Sequence, residues 1–106
     1  MDIAYNLLNE SAADGEEVPI FSIDDYFREQ PISFLKADVE GYEWRMLHGA
    51  KKVIRRDRPK IAICVYHSAV DMYRIASAIK ELCLDYRLFV RQHSHDIVDT
   101  VFYACV

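Results

Sequence analysis

Two periodicities alternate along this chain, and the switches between them mark out its elements. From Ile61 to Tyr66 the chain reads Ile-Ala-Ile-Cys-Val-Tyr, with no charge in the run. A short, continuous and partly β-branched stretch of this kind predicts a strand covered on both faces by helices. Ile32-Ser33-Phe34-Leu35-Lys36-Ala37, placed just after Pro31, predicts another buried strand, ending at Asp38. Between the two, Met46, Leu47, Ala50, Val53 and Ile54 fall on one face of a helix, and an arginine-rich last turn runs into Pro59 as its stop. A second stripe, Met72, Ile75, Ala76, Ile79 and Leu82, predicts a helix capped by Ser68 or Asp71. Arg87 to Arg91 and Val101 to Val106 read as strands joined by the polar loop Gln92 to Asp99.

The amino-terminal part is patterned more weakly. Met1 to Glu17 reads as a separate segment, with a short helix around Ile3, Leu7 and Leu8 and then the acidic loop Ala12-Ala13-Asp14-Gly15-Glu16-Glu17. The domain proper is expected over 18–106. Val18 to Ile23 predicts a short strand, kept to an edge by Pro19. Asp24-Asp25-Tyr26-Phe27 predicts a helical turn capped by Ser22 or Asp24. The order from Ile32 onwards is then strand, helix, strand, helix, strand, strand. Two βα units imply parallel strands joined by right-handed crossovers. The closing strands have only a loop between them and must pair antiparallel. The fold class is α/β, two βα units plus a carboxyl-terminal antiparallel hairpin.

Composition narrows the class. A chain of 106 residues has room for one core. At 52% hydrophobic and 28% charged, it has the make-up of a water-soluble globular protein. The longest apolar run is too short to cross a bilayer, and no basic-then-apolar signal opens the chain, so no membrane is expected and the location is read as cytoplasmic. A net charge of -4 speaks against nucleic acid as a partner. The basic cluster Lys51-Lys52 and Arg55-Arg56-Asp57-Arg58 is read as the solvated end of a helix. Cys64, Cys83 and Cys105 are scattered through apolar stretches without a C-x-x-C pair, so they are expected to be buried, reduced thiols rather than disulfides or zinc ligands.

Chemistry concentrates at Lys36-Ala37-Asp38-Val39-Glu40-Gly41-Tyr42-Glu43, where a buried strand ends in carboxylates and a glycine and turns straight into a helix. Ligands of open α/β sheets bind beyond the carboxyl ends of the strands, where Asp38 and Glu40 would stand. Gly41 would permit a tight turn or a close backbone approach by a ligand. On spacing alone, the acids serve equally well as caps for the following helix. His67 follows the next strand directly. If the two strands are neighbours it shares their rim, as a candidate general base or as a rim histidine bonded to a loop. A metal held by this trio ranks below the acid–base reading. His93-Ser94-His95-Asp96 is read as an exposed polar loop, so no metal site is assigned.

From Lys36 to Glu43 the chain resembles the FkbM-type family of S-adenosylmethionine-dependent methyltransferases, whose hallmark is Lys-x-Asp-(Val/Ile)-Glu-Gly-x-Glu. Leu47-His48-Gly49-Ala50, Arg58-Pro59-Lys60, Ile63 to His67, Val90 to Ser94, Asp99 to Ala104 and Ser22 to Tyr26 resemble the family's other segments in the same order. The resemblance implies a partial Rossmann-like methyltransferase sheet, its fourth to seventh strands, with S-adenosylmethionine as cofactor. It further implies Asp38 and Gly41 at the donor, with Asp38, Glu40 and His67 as the catalytic candidates acting on the hydroxyl of a small molecule or sugar. Gly15, Gly41 and Gly49 are the chain's glycines, and no two lie close enough for a nucleotide-binding loop.

The resemblance therefore implies the carboxyl-terminal portion of such an enzyme, with the donor-cradling half elsewhere and the isolated chain inactive. The alternative, from another class, is a non-catalytic α/β interaction module or one half of a split enzyme acting by binding a partner chain. Either reading expects a partner, as a homodimer or a separate amino-terminal half, because the Ile32–Ala37 strand would otherwise leave an open edge.

Overall fold

The uncharged run at Ile61 forms an inner strand of the sheet. In the computed structural model, which describes residues 19–66, 69–95 and 99–106, it is part of β2 (Lys60–Cys64), flanked by β1 (Phe34–Ala37) and β4 (Thr100–Cys105), with β3 (Arg87–Gln92) beyond. The sheet order is β1-β2-β4-β3. β1 and β2 pair parallel, Leu35 opposite Ile61 and Ala37 opposite Ile63. β4 runs antiparallel to both β2 and β3. The expected α/β sheet with a closing hairpin is therefore present. The last strand to be made lies inside the sheet and the one before it at the edge.

The expected strand over 18–23 does not form in its described part. Pro19 to Ser22 has no regular structure, and Ile23 opens α1 (Ile23–Tyr26). Ser22 is its cap, accepting from the Asp25 amide at 3.1 Å. Proline removes a ladder donor at 19, and burial of Ile23 and Phe27 against the helices outweighs a short edge strand. The residues before Pro19 lie outside the described part.

The helix expected through Met46 to Ile54 is divided at Gly49 and Ala50 into α2 (Glu43–His48) and α3 (Lys51–Asp57). A tertiary contact explains the break. The Gly49 carbonyl accepts the Asp24 amide at 2.7 Å, and a Cβ at Gly49 would stand 3.1 Å from the Ser22 Cβ. The Asp24 carboxylate in turn accepts the Lys52 and Val53 amides at 3.2 and 2.9 Å, capping α3 from across the fold. At the other end, Arg56 donates to the carbonyls of Phe27, Arg28 and Gln30. The same guanidinium pairs with Asp57 and holds that carboxyl below its usual range. The apolar face is nevertheless as read: Met46, Leu47, Ala50, Val53 and Ile54 are all buried.

Asp71 was a candidate cap for the next helix but lies inside α4 (Ala69–Leu82), beside Arg74 at 3.7 Å; the other candidate, Ser68, lies outside the described residues. Ile75 and Ile79 of α4 join Val53 and Ile54 of α3 in one core with Leu35, Ala37, Ile61, Ile63, Phe102 and Ala104 of the sheet. These strand residues share a face, so the core lies between the helices and one side of the sheet. The cysteines are free, but half-buried rather than buried.

Candidate functional site

β1 and β2 end on the same side because they are parallel, and the chain beyond β1 reverses within a few residues. Val39 stays in the interior while Asp38 and Glu40 on either side of it are exposed. Glu40 has φ 52° and Gly41 φ 94°, successive left-handed residues. A Cβ on Gly41 would meet nothing within 4 Å, so backbone conformation, and not space, is what calls for glycine there. Glu40 lacks that freedom. A non-glycine residue held left-handed costs about 1 kcal/mol or more and points to a functional constraint.

The turn is locked from below. Tyr42 donates its amide to the Val39 carbonyl at 3.2 Å, and Val39 donates its own to Glu43 Oε1 at 3.1 Å. Glu43 is thus the acid that ties the strand end to the first turn of α2, while Tyr42 occupies the N-cap without a side-chain bond. Neither Asp38 nor Glu40 occupies the cap position, which leaves both carboxylates on the rim.

They converge on Tyr66. Its hydroxyl lies 3.3 Å from Asp38 Oδ1 and 3.5 Å from Glu40 Oε1, donating to the first and sharing its proton with the second. Desolvation, then the charges of Asp38 and Glu40, push the phenol up to about 12, so it stays protonated across the neutral range. The Cys64 thiol is pushed up as well, first by burial and then by Asp38 and Glu43. Both shifts report a locally negative rim. Such a field favours a cation or a polarised hydroxyl over an anion.

Tyr66 was missed by reading the sequence, where it appeared as the last residue of a strand. The register with β4 ends at Cys64 opposite Val101, the Val65 amide makes a last bond to the Thr100 carbonyl at 3.2 Å, and Tyr66 beyond it turns toward the acids. Its position two residues past the strand, next to a candidate base, was the signal available. His67 itself lies outside the described residues. At the far side of the sheet His93 and His95 are exposed, and His93 Nε2 lies 2.6 Å from the Tyr103 hydroxyl. Among the described residues no cluster of three histidine, cysteine or acidic side chains is arranged to hold a metal. Nor is any described helix long and apolar enough to cross a membrane.

Comparison with known proteins gives two findings. The sequence pattern described as the methyltransferase FkbM domain matches residues 3–97. The crystal structure of methyltransferase FkbM from Methylobacillus flagellatus KT superposes with a TM-score of 0.72 at 35% identity, over 77% of this chain. This chain spans 22% of the length of that one. No curated protein matches.

Proposed function

Because this chain belongs to the methyltransferase FkbM domain family, we propose that it supplies the acceptor-side part of an S-adenosylmethionine-dependent O-methyltransferase. The observation that carries this reading is the convergence of Asp38, Glu40 and Tyr66 beyond the carboxyl ends of β1 and β2. Ligands of open α/β sheets bind at that place.

The rim suits the reacting end of the donor. S-adenosylmethionine carries a positive sulfonium, and a rim bearing Asp38 and Glu40 stabilises a cation there. When bound, the donor supplies an electrophilic methyl group. The nucleoside end is a different matter, because Gly41 stands alone in its turn and no glycine-rich loop exists in the sequence to admit the ribose and adenine at close backbone approach. We assign that cradle to residues outside this chain. Asp38 and Gly41 would then border the donor, and Asp38 and Glu40 would hold an acceptor hydroxyl of a small molecule or sugar. Tyr66 keeps both carboxylates in place through its proton. His67, next in sequence, is the proposed base, since a neutral alcohol is a poor nucleophile until its proton is withdrawn. Cys64, Cys83 and Cys105, all unpaired, support a reducing cytoplasmic setting.

A calorimetric titration of the chain with S-adenosylmethionine tests the division of the site. No saturable binding in the micromolar range is expected, and micromolar affinity would return the whole reaction to this chain. A chimera carrying this chain in place of the matching segment of the Methylobacillus flagellatus protein tests the site itself. It should bind the donor, and Asp38→Asn should weaken that binding about tenfold, the size of one charge-assisted hydrogen bond. Unchanged affinity would remove Asp38 from the site. A second reading, a non-catalytic module that works by docking a partner, draws its support from the open edge of β1, which pairs on one side alone among the described strands.

A further inference from the structure

The hairpin that closes the sheet brings a second polar group to the rim. The register of β3 with β4 ends at Gln92 opposite Thr100, and the Thr100 carbonyl accepts the Val65 amide, just past β2, at 3.2 Å. One step farther out, His93 donates its amide to the Asp99 carbonyl at 3.1 Å. Tyr66 and His93 therefore stand at the same level beyond the strand ends, with β4 between them. Two strand spacings put their backbones about 10 Å apart. Val65 and Thr100 are buried below this level, so a molecule spanning the two would lie above the strand ends and not within the sheet.

His93 is exposed, yet its ring is held. Its Nε2 lies 2.6 Å from the Tyr103 hydroxyl, and the two rings meet edge to face at 5.9 Å and 78°. This leaves Nδ1 without a protein partner among the described residues. What Nδ1 can do follows from the tautomer. If Tyr103 donates to Nε2, Nδ1 carries the proton and donates; if Nε2 donates to Tyr103, Nδ1 accepts. A carboxylate meets only the first case and an ammonium only the second, whereas a hydroxyl meets either. The charges agree with a neutral ligand. Asp38 and Glu40 stand at one end of the rim, Asp99 between, and Arg91 two residues before His93, all exposed. An anion is opposed at the first end and a cation at the second. Gln92, Ser94 and His95 join His93 around an open polar concavity at that second end.

We propose that His93, held by Tyr103, is a specificity-determining residue that binds a second hydroxyl of a polyhydroxylated ring, while the reacting hydroxyl of that ring lies at Asp38 and Glu40. The inference rests on the acceptor-site reading of Asp38, Glu40 and Tyr66 given above, and adds to it the class of acceptor and a second anchor. Two polar anchors separated by the width of β4 select a ring over a simple alcohol, whose one hydroxyl meets one anchor. They also select it over an open-chain polyol, which loses more conformational freedom on binding.

The test uses the full chain, isotope-labelled at histidine and tyrosine and followed by nuclear magnetic resonance. The probes are methyl α-D-glucopyranoside and myo-inositol as rings, sorbitol as the open chain and cyclohexanol as the simple alcohol. At least one ring should shift the His93 imidazole and the Tyr66 ring along one saturation curve, leaving His48 unmoved. Sorbitol should bind more weakly, and cyclohexanol should not move His93. His93→Gln, followed at Tyr66 and checked for fold by circular dichroism, should weaken ring binding about tenfold, the size of one hydrogen bond. Tyr103→Phe, which releases the imidazole but keeps it, should weaken binding less. The proposal is overturned if neither ring moves His93, if sorbitol or cyclohexanol binds as tightly as the rings, or if neither variant changes the affinity. Donor binding by the chimera described above separates this inference from the reading it rests on. A chimera that binds the donor, in a chain where no ring moves His93, strikes this inference alone. Ring binding at both anchors, with no donor binding by the chimera, supports the polyol site and strikes methyl transfer.

Discussion

Glu43 is 1% exposed and its Oε1 accepts the Val39 amide at 3.1 Å, so the acid that shapes the rim is itself in the interior. Replacing it with leucine would fill the space but strand a buried N–H, at a cost of about 1–3 kcal/mol. Glu43→Gln keeps an acceptor oxygen and should lose clearly less. Urea unfolding of the two variants distinguishes them, and equal losses would show that the bond to Val39 contributes little. Tyr66 gives a prediction in pH. Its phenol is raised from the ordinary 10 to about 12, so the folded chain holds this proton more tightly than the unfolded chain does. The corresponding stabilisation is fully present below pH 10 and disappears as pH climbs through the folded value of about 12. Unfolding midpoints should therefore fall over that interval, and Tyr66→Phe should fall less steeply. Tyr86 is also raised, by burial, and its share of the alkaline loss should remain in the variant.

Helices α2 and α3 show how an element boundary can be decided from elsewhere. Their apolar positions make one continuous stripe, and only the seat of α1 on Gly49 breaks the helix. Asp24 then serves as a remote cap, satisfying two amides at the start of α3 that a continuous helix would have bonded internally. Asp24→Ala should cost about 0.5–2 kcal/mol, the usual range for losing a cap, read as a lower thermal midpoint. A variant as stable as the parent would mean that solvent replaces the carboxylate at no loss.

The sheet as a whole is unfinished along one side. β1 has β2 as its strand neighbour, and its other edge presents backbone groups that no described strand takes up. Phe34 and Leu35 are apolar there, with Lys36 as a charged guard. An edge of this kind is a template for pairing. Sedimentation at micromolar concentration should report a species heavier than the monomer, paired along β1, and Phe34→Lys should shift it toward the monomer. A stable monomer at all concentrations would refute this.

How much of this was legible in the chain depends on how far each cause reaches. The strands at Phe34, Lys60, Arg87 and Thr100 and the stripe of α4 arise from periodic burial within a few residues, and local pattern specified them. It also determined that Asp38 and Glu40 stand past a strand end, because the carboxylates and Gly41 follow an apolar run without interruption. The insertion of β4 between β2 and β3, the break at Gly49 and the capping of α3 by Asp24 were decided only by the tertiary structure. Each joins segments far apart in the chain, and no local pattern carries the free energy of such a contact. Tyr66 lies between these cases. Its place in an apolar run was evident, but where pairing with β4 stops determines whether it extends the strand or turns its hydroxyl toward Asp38.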